Sequence, residues 1–178
     1  MLFGILIALV IIQRLVELRV AKRNEKRLLA KGAFEAGASH YPYMVAMHAA
    51  FFLSLILEVM LTDRPLSPFW LPLLAVFLAM QALRIWCLAS LGQYWNTKII
   101  ILPGANVVKR GPYKWLRHPN YVIVTTELLV LPLLFQAYFT AVLFALLNIW
   151  MLSVRIPAEE QALRRATDYT KRFGPGRS

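Results

Sequence analysis

Residues 121–156 read YVIVTTELLVLPLLFQAYFTAVLFALLNIWMLSVRI, and the fold follows from them. Two apolar runs, one from Tyr121 to about Phe135 and one from Tyr138 to about Ile156, are separated only by Gln136 to Tyr138. Runs of this length and apolarity are read as bilayer-crossing helices, and so short a turn leaves them no choice but to lie antiparallel. Immediately before the first run stands GPYKWLRHPNY, residues 111–121. Each of its prolines fixes its own φ and biases the preceding residue away from helix, so Gly111-Pro112 and His118-Pro119 predict a rigid turn that delivers polar side chains to the head of a membrane helix.

Moving outward, three more apolar segments are read as spans: residues 2–18, 42–61 and 69–91. With the hairpin this predicts an all-α integral membrane protein of about five transmembrane helices, folded as one domain over residues 1–178. No basic segment precedes the first run and Ala21-Lys22-Arg23 follows it, so the expectation is an uncleaved helix. Its continuation, Arg19 to Lys31, carries six basic residues and leucines near helical spacing, which predicts an amphipathic stretch on the lipid surface until Gly32 to Ser39 breaks it. Composition agrees: 59% of the 178 residues are hydrophobic, and a mean hydropathy of +0.56 is too high for a soluble domain. The formal charge of +11 flanks apolar runs, so cytoplasmic topology and anionic lipid account for it more simply than nucleic acid, which is not an expected partner. Of twenty lysines and arginines, six follow the first span, five follow the third and six lie from Arg155 onward, with Arg64 on the other side. This predicts a cell-membrane protein with its N-terminus outside and the long loop and tail cytoplasmic. Cys87, the single cysteine, lies in an apolar run and reads as a packing residue.

Polar residues within the spans are costly in lipid and therefore informative. His48, Arg84, Glu127 and Asn148 fall at similar depth on four helices, with Arg14 shallower on the first. Two readings stand. Each has its own structural duty, with Arg14 and Arg84 snorkelling, Asn148 bonding a neighbouring helix and His48 satisfied in the core; or together they line a cavity open to the inner leaflet. Either way Glu127 requires a partner, and Arg84 is the natural one. In the tail, Arg155 and Glu159 share a helical face, either as an ordinary i,i+4 ion pair or as a cationic and an anionic hand offered together. The sequence lacks G-x-G-x-x-G, a P-loop, H-E-x-x-H and G-x-S-x-G, so Rossmann cofactors, nucleotide hydrolysis, zinc proteolysis and a serine elbow have no signature here. His40, His48 and His118 have no metal-ligand spacing, and no metal site is expected.

The pattern G-P-Y-x-x-x-R-H-P-x-Y entering a helix, a short helical hairpin, and then R-I-x-x-E-E-x-x-L resembles the isoprenylcysteine carboxyl methyltransferase family. It is supplied by Gly111-Pro112-Tyr113, Arg117 to Tyr121, and Arg155-Ile156 with Glu159-Glu160 and Leu163, and the resemblance runs from about Gln93 to the C-terminus. The stretch YWNTKII, residues 94–100, is similar to a short bacterial branch associated with alkylpyrone O-methylation. The resemblance implies a membrane-embedded enzyme that uses S-adenosylmethionine without a Rossmann domain, its cofactor region at residues 93–121 and 155–178. By motif match, Tyr113, His118, Pro119, Asn120 and Tyr121 line the cofactor with the backbone of Ala105, Asn106, Val107 and Val108. Glu159 contacts it, Lys98 lies near it, and Arg155 faces the acceptor. The tail departs from the family pattern, with Arg165-Ala166-Thr167-Asp168-Tyr169 in place of a phenylalanine-glycine before the tyrosine motif.

Methyl transfer from a sulfonium is an in-line displacement, so positioning contributes most. An acceptor already ionised needs no general base. The acidic enol of a long-chain hydroxypyrone is the favoured acceptor and a prenylated cysteine carboxylate the alternative, both lipophilic small molecules or tails that partition into the bilayer. Two further readings are an NADPH-dependent membrane reductase, which shares an R-H-P end segment, and a non-catalytic lipid- or haem-binding subunit with His48 and His118 as axial ligands. Oligomeric state is left open.

Overall fold

In the computed structural model, which describes residues 2–174, six α-helices account for most of the chain. They are α1 (Leu2–Leu29), α2 (Tyr41–Thr62), α3 (Trp70–Leu91), α4 (Pro119–Leu134), α5 (Tyr138–Ala166) and α6 (Tyr169–Phe173). Arg177, one of the tail cations counted above, lies outside the described residues. Three helical stretches are long and apolar enough to cross a membrane: Ala38–Thr62, Trp70–Tyr94 and Tyr138–Ala166, with Pro119–Leu134 a shorter apolar helix. The expected first span differs. It is the front of a single 28-residue helix in which Arg14, Glu17 and Arg19 interrupt the apolar run, so α1 does not meet that measure of length and composition.

The chain divides into two compact units. Residues 2–38, 91–109 and 158–174 form the first, and residues 39–90 and 110–157 the second. The second unit holds α2, α3, α4 and α5 as far as Pro157. Its apolar side chains are exposed in quantity, Leu53, Leu61, Leu71, Ile85, Phe139 and Leu146 among them, as suits helices whose outer surface meets hydrocarbon. Its interior is built on Phe51, Leu55, Phe77, Ile123, Leu131 and Phe144. Several polar groups inside it are matched individually. Arg84 on α3 pairs with Glu127 on α4, and Gln81 Nε2 donates to the same carboxylate at 2.6 Å. Asn148 Nδ2 on α5 donates to Thr125 Oγ1 at 2.9 Å. His48 Nδ1 donates to the Met44 carbonyl one turn back. Each of these contacts is a structural duty of its own, and Arg14 in the first unit pairs with Glu17 on its own helix.

The tight α4–α5 connection is held by the same economy. Glu58 on α2 accepts from the backbone N–H groups of Phe139 and Thr140 and from the Thr140 hydroxyl at 2.7–3.0 Å, a carboxylate cap on the positive end of α5. Arg64 donates to the Gln136 carbonyl, and Gln136 Nε2 donates to the Pro65 carbonyl. Gln136 itself takes the left-handed conformation, φ 56°, that so short a turn demands.

The first unit contains a feature with no helical counterpart in the sequence reading. Phe34–Ala36 (β1) and Ile99–Ile101 (β2) pair antiparallel, Glu35 opposite Ile100. Ile99 and Ile101 bury one face of β2 against Ala162, with Ala158, Leu163 and Ala166 of α5 around them. α1 turns Glu17, Ala21, Asn24 and Leu28 inward, spaced by four, three and four residues, and leaves Arg19, Lys22, Arg23, Lys26 and Arg27 exposed. Buried Asn24 donates to the carbonyls of Gly92 and Trp95, tying α1 to the loop that leads into β2.

The Arg84–Glu127 pair is expected to dominate the stability of the second unit, because removing one member leaves the other charged and buried. Glu127→Ala should destabilise by about 3 kcal/mol in denaturant titrations in mixed micelles, and Arg84→Met with Glu127→Leu should recover most of that loss.

Candidate functional site

The motif segment 111–121 behaves as its prolines dictate. Gly111–Lys114 is a 3-10 turn with Pro112 near its start, and Pro119 opens α4 with His118 as its N-terminal flank. Pro112's carbonyl accepts from the N–H groups of Trp115 and Leu116, and that of His118 from Tyr121. Gly111 is required: its φ is +55°, and a Cβ there would run into the Ser90 hydroxyl and the Trp86 indole nitrogen. Arg110 Nε donates to the Ser90 carbonyl at 2.8 Å, fixing the segment to the end of α3. Tyr113 is buried beneath the turn.

From this platform the second unit assembles a compact polar group. The His118 ring stacks on Tyr121, centroids 5.3 Å apart and planes 22° from parallel. Tyr121's hydroxyl accepts from Arg155 Nε at 2.9 Å, and the guanidinium carbon lies 6.0 Å from the same ring. Arg155 is only 5% exposed, so a full positive charge is kept where few waters reach it, and its interactions are correspondingly strong. Among the described residues, three buried polar atoms of the same unit have no protein partner: Asn120 Oδ1, His40 Nε2 and Gln81 Oε1. A buried acceptor left unmet is costly unless something else donates to it. Of the residues expected to form the site, Tyr113, His118, Pro119, Asn120, Tyr121 and Arg155 are thus in one unit, and His118, Tyr121 and Arg155 are joined directly.

The remaining expected residues belong to the first unit. Lys98 is held between two carboxylates, Glu25 of α1 and Glu35 of β1, each at 2.9 Å. Glu159 is partly buried on α5, one turn beyond Arg155. Its neighbour Glu160 accepts from Arg164 at 2.8 Å and from the hydroxyl of buried Tyr169 at 3.1 Å, which fastens α6 to α5. The segment Ala105 to Val108 has no regular structure; it is tied to the tail by the Gly104 N–H to the Ala166 carbonyl and by the Val107 N–H to Asp168 Oδ1 at 2.7 Å. Asp168, Glu25 and Glu35 were missed by the sequence reading. Asp168 did leave a signal, because it sits where the chain departs from the family motif. The two glutamates left none, since their common partner is more than sixty residues away in sequence. Among the described residues no group of three or more histidine, cysteine, aspartate or glutamate side chains is placed to hold a metal ion.

Two groups of the first unit have shifted proton affinities. Hydrogen bonds from Arg172 and then the Val107 N–H hold the Asp168 carboxyl below its usual range, and hydrogen bonds to Glu25 and Glu35 hold the Lys98 ammonium above its own.

The isoprenylcysteine carboxyl methyltransferase family model matches residues 73–165. YpbQ of Bacillus subtilis, an uncharacterized protein, is 53% identical over 162 residues, which is 91% of this chain and 96% of that one. An uncharacterized protein of Haemophilus influenzae is 32% identical over 161 residues, 90% of this chain and 94% of the relative. No solved structure matches.

The signs of the two proton shifts set a pH window. Asp168's contribution is present above its unfolded value near 4 and is lost as pH falls through the lower folded one; that of Lys98 is present below about 10.4 and is lost as pH rises through the higher folded one. The melting temperature should be flat between roughly pH 5 and 10 on this account. Asp168→Asn should flatten the acid limb and Lys98→Met the alkaline limb.

Proposed function

The chain belongs to the isoprenylcysteine carboxyl methyltransferase family, and on that premise we propose that it is an S-adenosylmethionine-dependent O-methyltransferase of the membrane whose acceptor is a lipophilic anion. The observation that carries the reading is the joined set His118, Tyr121 and Arg155, with the unmet acceptor Asn120 Oδ1 in the same turn. When bound, S-adenosylmethionine supplies an electrophilic methyl group; the chain supplies recognition and alignment. Asn120 Oδ1 calls for a donor, and the cofactor's ammonium, ribose hydroxyls and adenine amine are all donors, so the residue fits the group. The stacked His118 and Tyr121 rings offer π faces to an adenine or a sulfonium. Motif carry-over adds Tyr113, Pro119, Lys98, the Ala105 to Val108 backbone and Glu159 as cofactor contacts.

Arg155 is the acceptor anchor in this reading. Its guanidinium, oriented by the Tyr121 hydroxyl, pairs with the oxygen anion of an enol or carboxylate by a charge-assisted bond. Because such an oxygen is ionised at neutral pH, it attacks without a general base; the work left to the protein is to hold it in line with the methyl group. An apolar tail on the acceptor matches the lipid-facing side chains of the second unit. In this reading five helices cross the bilayer, the N-terminus is outside, and the basic loop and tail keep the chemistry at the cytoplasmic face.

Detergent-solubilised protein should be stabilised by S-adenosylmethionine and by S-adenosylhomocysteine, since a ligand that binds the folded form raises apparent stability. Stabilisation by NADPH alone would overturn the reading. His118→Ala and Asn120→Ala should each weaken S-adenosylhomocysteine binding by about tenfold, whereas Arg155→Ala should leave it and depress methyl transfer to acceptor. Labelled methyl transfer to a long-chain 4-hydroxypyrone and to a prenylcysteine analogue then separates the two acceptor classes.

A further inference from the structure

Two polar segments of the first unit, residues 104–109 and 166–173, are fastened to each other at four points. The Gly104 N–H donates to the Ala166 carbonyl at 2.8 Å. The Val107 N–H donates to one oxygen of Asp168 at 2.7 Å, while the other oxygen accepts from Arg172 Nε at 2.6 Å. Lys109 Nζ donates to the Arg172 carbonyl at 2.8 Å and lies 5.2 Å from the centre of the Phe173 ring. The tail segment has its own foundation, because Tyr169 is 2% exposed and its hydroxyl is fixed to Glu160. The segment 104–109, by contrast, has no helix or strand of its own, and a backbone in that state takes its conformation from whatever holds it.

We infer that Asp168 is a positioning residue for the cofactor: it sets the conformation of the Ala105 to Val108 backbone by spending one carboxylate oxygen on Val107 and is itself aimed by Arg172 through the other. This rests on the cofactor role proposed above for that backbone. A carboxylate suits the task better than a hydroxyl or an amide, since its two oxygens accept from two donors on opposite sides and the bond to a backbone N–H is charge-assisted.

The test uses the full-length protein in detergent with three variants, Asp168→Ala, Asp168→Asn and Arg172→Met, and two readouts. Hydrogen exchange of peptides covering 103–109 reports the fastening without any ligand, with peptides of α2 and α3 as the folding control. Binding of S-adenosylhomocysteine, together with the KM for S-adenosylmethionine and kcat, reports its consequence. Asp168→Ala should speed exchange across 103–109 by at least about tenfold, leave α2 and α3 unchanged, and weaken S-adenosylhomocysteine by about tenfold. Its KM for S-adenosylmethionine should rise far more than kcat falls. Asp168→Asn keeps an acceptor for the Val107 N–H but turns a donor toward Arg172, so it and Arg172→Met should both fall between Asp168→Ala and the unaltered protein. Faster exchange with unchanged S-adenosylhomocysteine affinity would overturn the positioning role and leave the methyltransferase reading standing. A wild-type protein that takes no S-adenosylhomocysteine overturns both.

Discussion

A charge placed among apolar helices must find its opposite within the protein, and in the second unit that requirement is met by Arg84 and Glu127. Both are buried, and either charge alone in that setting would be left uncompensated at high cost. The pair therefore fixes α3 against α4 at one register, with Gln81 as a second donor to the same carboxylate. The rest of the unit repeats the principle at lower cost. Asn148 meets Thr125, and Glu58 meets the exposed N–H groups of α5, so that helices whose outer faces carry little specificity are aligned by a few polar matches.

Much of this was legible in the sequence. The antiparallel hairpin from Tyr121 to Ile156, the boundaries of the second and third spans and the Arg84–Glu127 partnership follow from hydropathy, turn length and the cost of a lone buried charge. The proline-pinned turn before α4 was also foreseen, with its glycine explained only by the close approach of Ser90 and Trp86. The two-stranded ladder was not. Three-residue strands carry no periodicity that can be told from a polar connection, and the bonds that make Phe34–Ala36 and Ile99–Ile101 strands lie entirely in the partner. The first span was read from a run of apolar residues. Arg14 and Glu17 fall on the inward side of a helix that continues to Leu29, a fact about facing that hydropathy does not contain.

The site was legible to a different extent. Motif spacing named His118, Tyr121 and Arg155, and their stacking and hydrogen bond join them. Spacing also suggested Arg155 with Glu159 as a pair of hands; to that the fold adds a contact from α4, the Tyr121 hydroxyl, across the hairpin. Glu160, the less conspicuous member of the double glutamate, has a plain structural duty with Arg164 and Tyr169. Lys98 is a member of a three-residue ionic group that closes α1 over the ladder. Such partners cannot be read from one sequence, because each is chosen by tertiary proximity alone.

The fastening of Val107 by Asp168 also bears on biosynthesis. The two residues are 61 positions apart, so during synthesis the 104–109 segment leaves the ribosome several seconds before its clasp exists, at ordinary elongation rates of about 5–20 residues per second. Over that interval the residues of the α4–α5 hairpin are made. The first unit is accordingly a product of late closure: its 104–109 segment gains the bond to Asp168 only after the residues of the α4–α5 hairpin have been made.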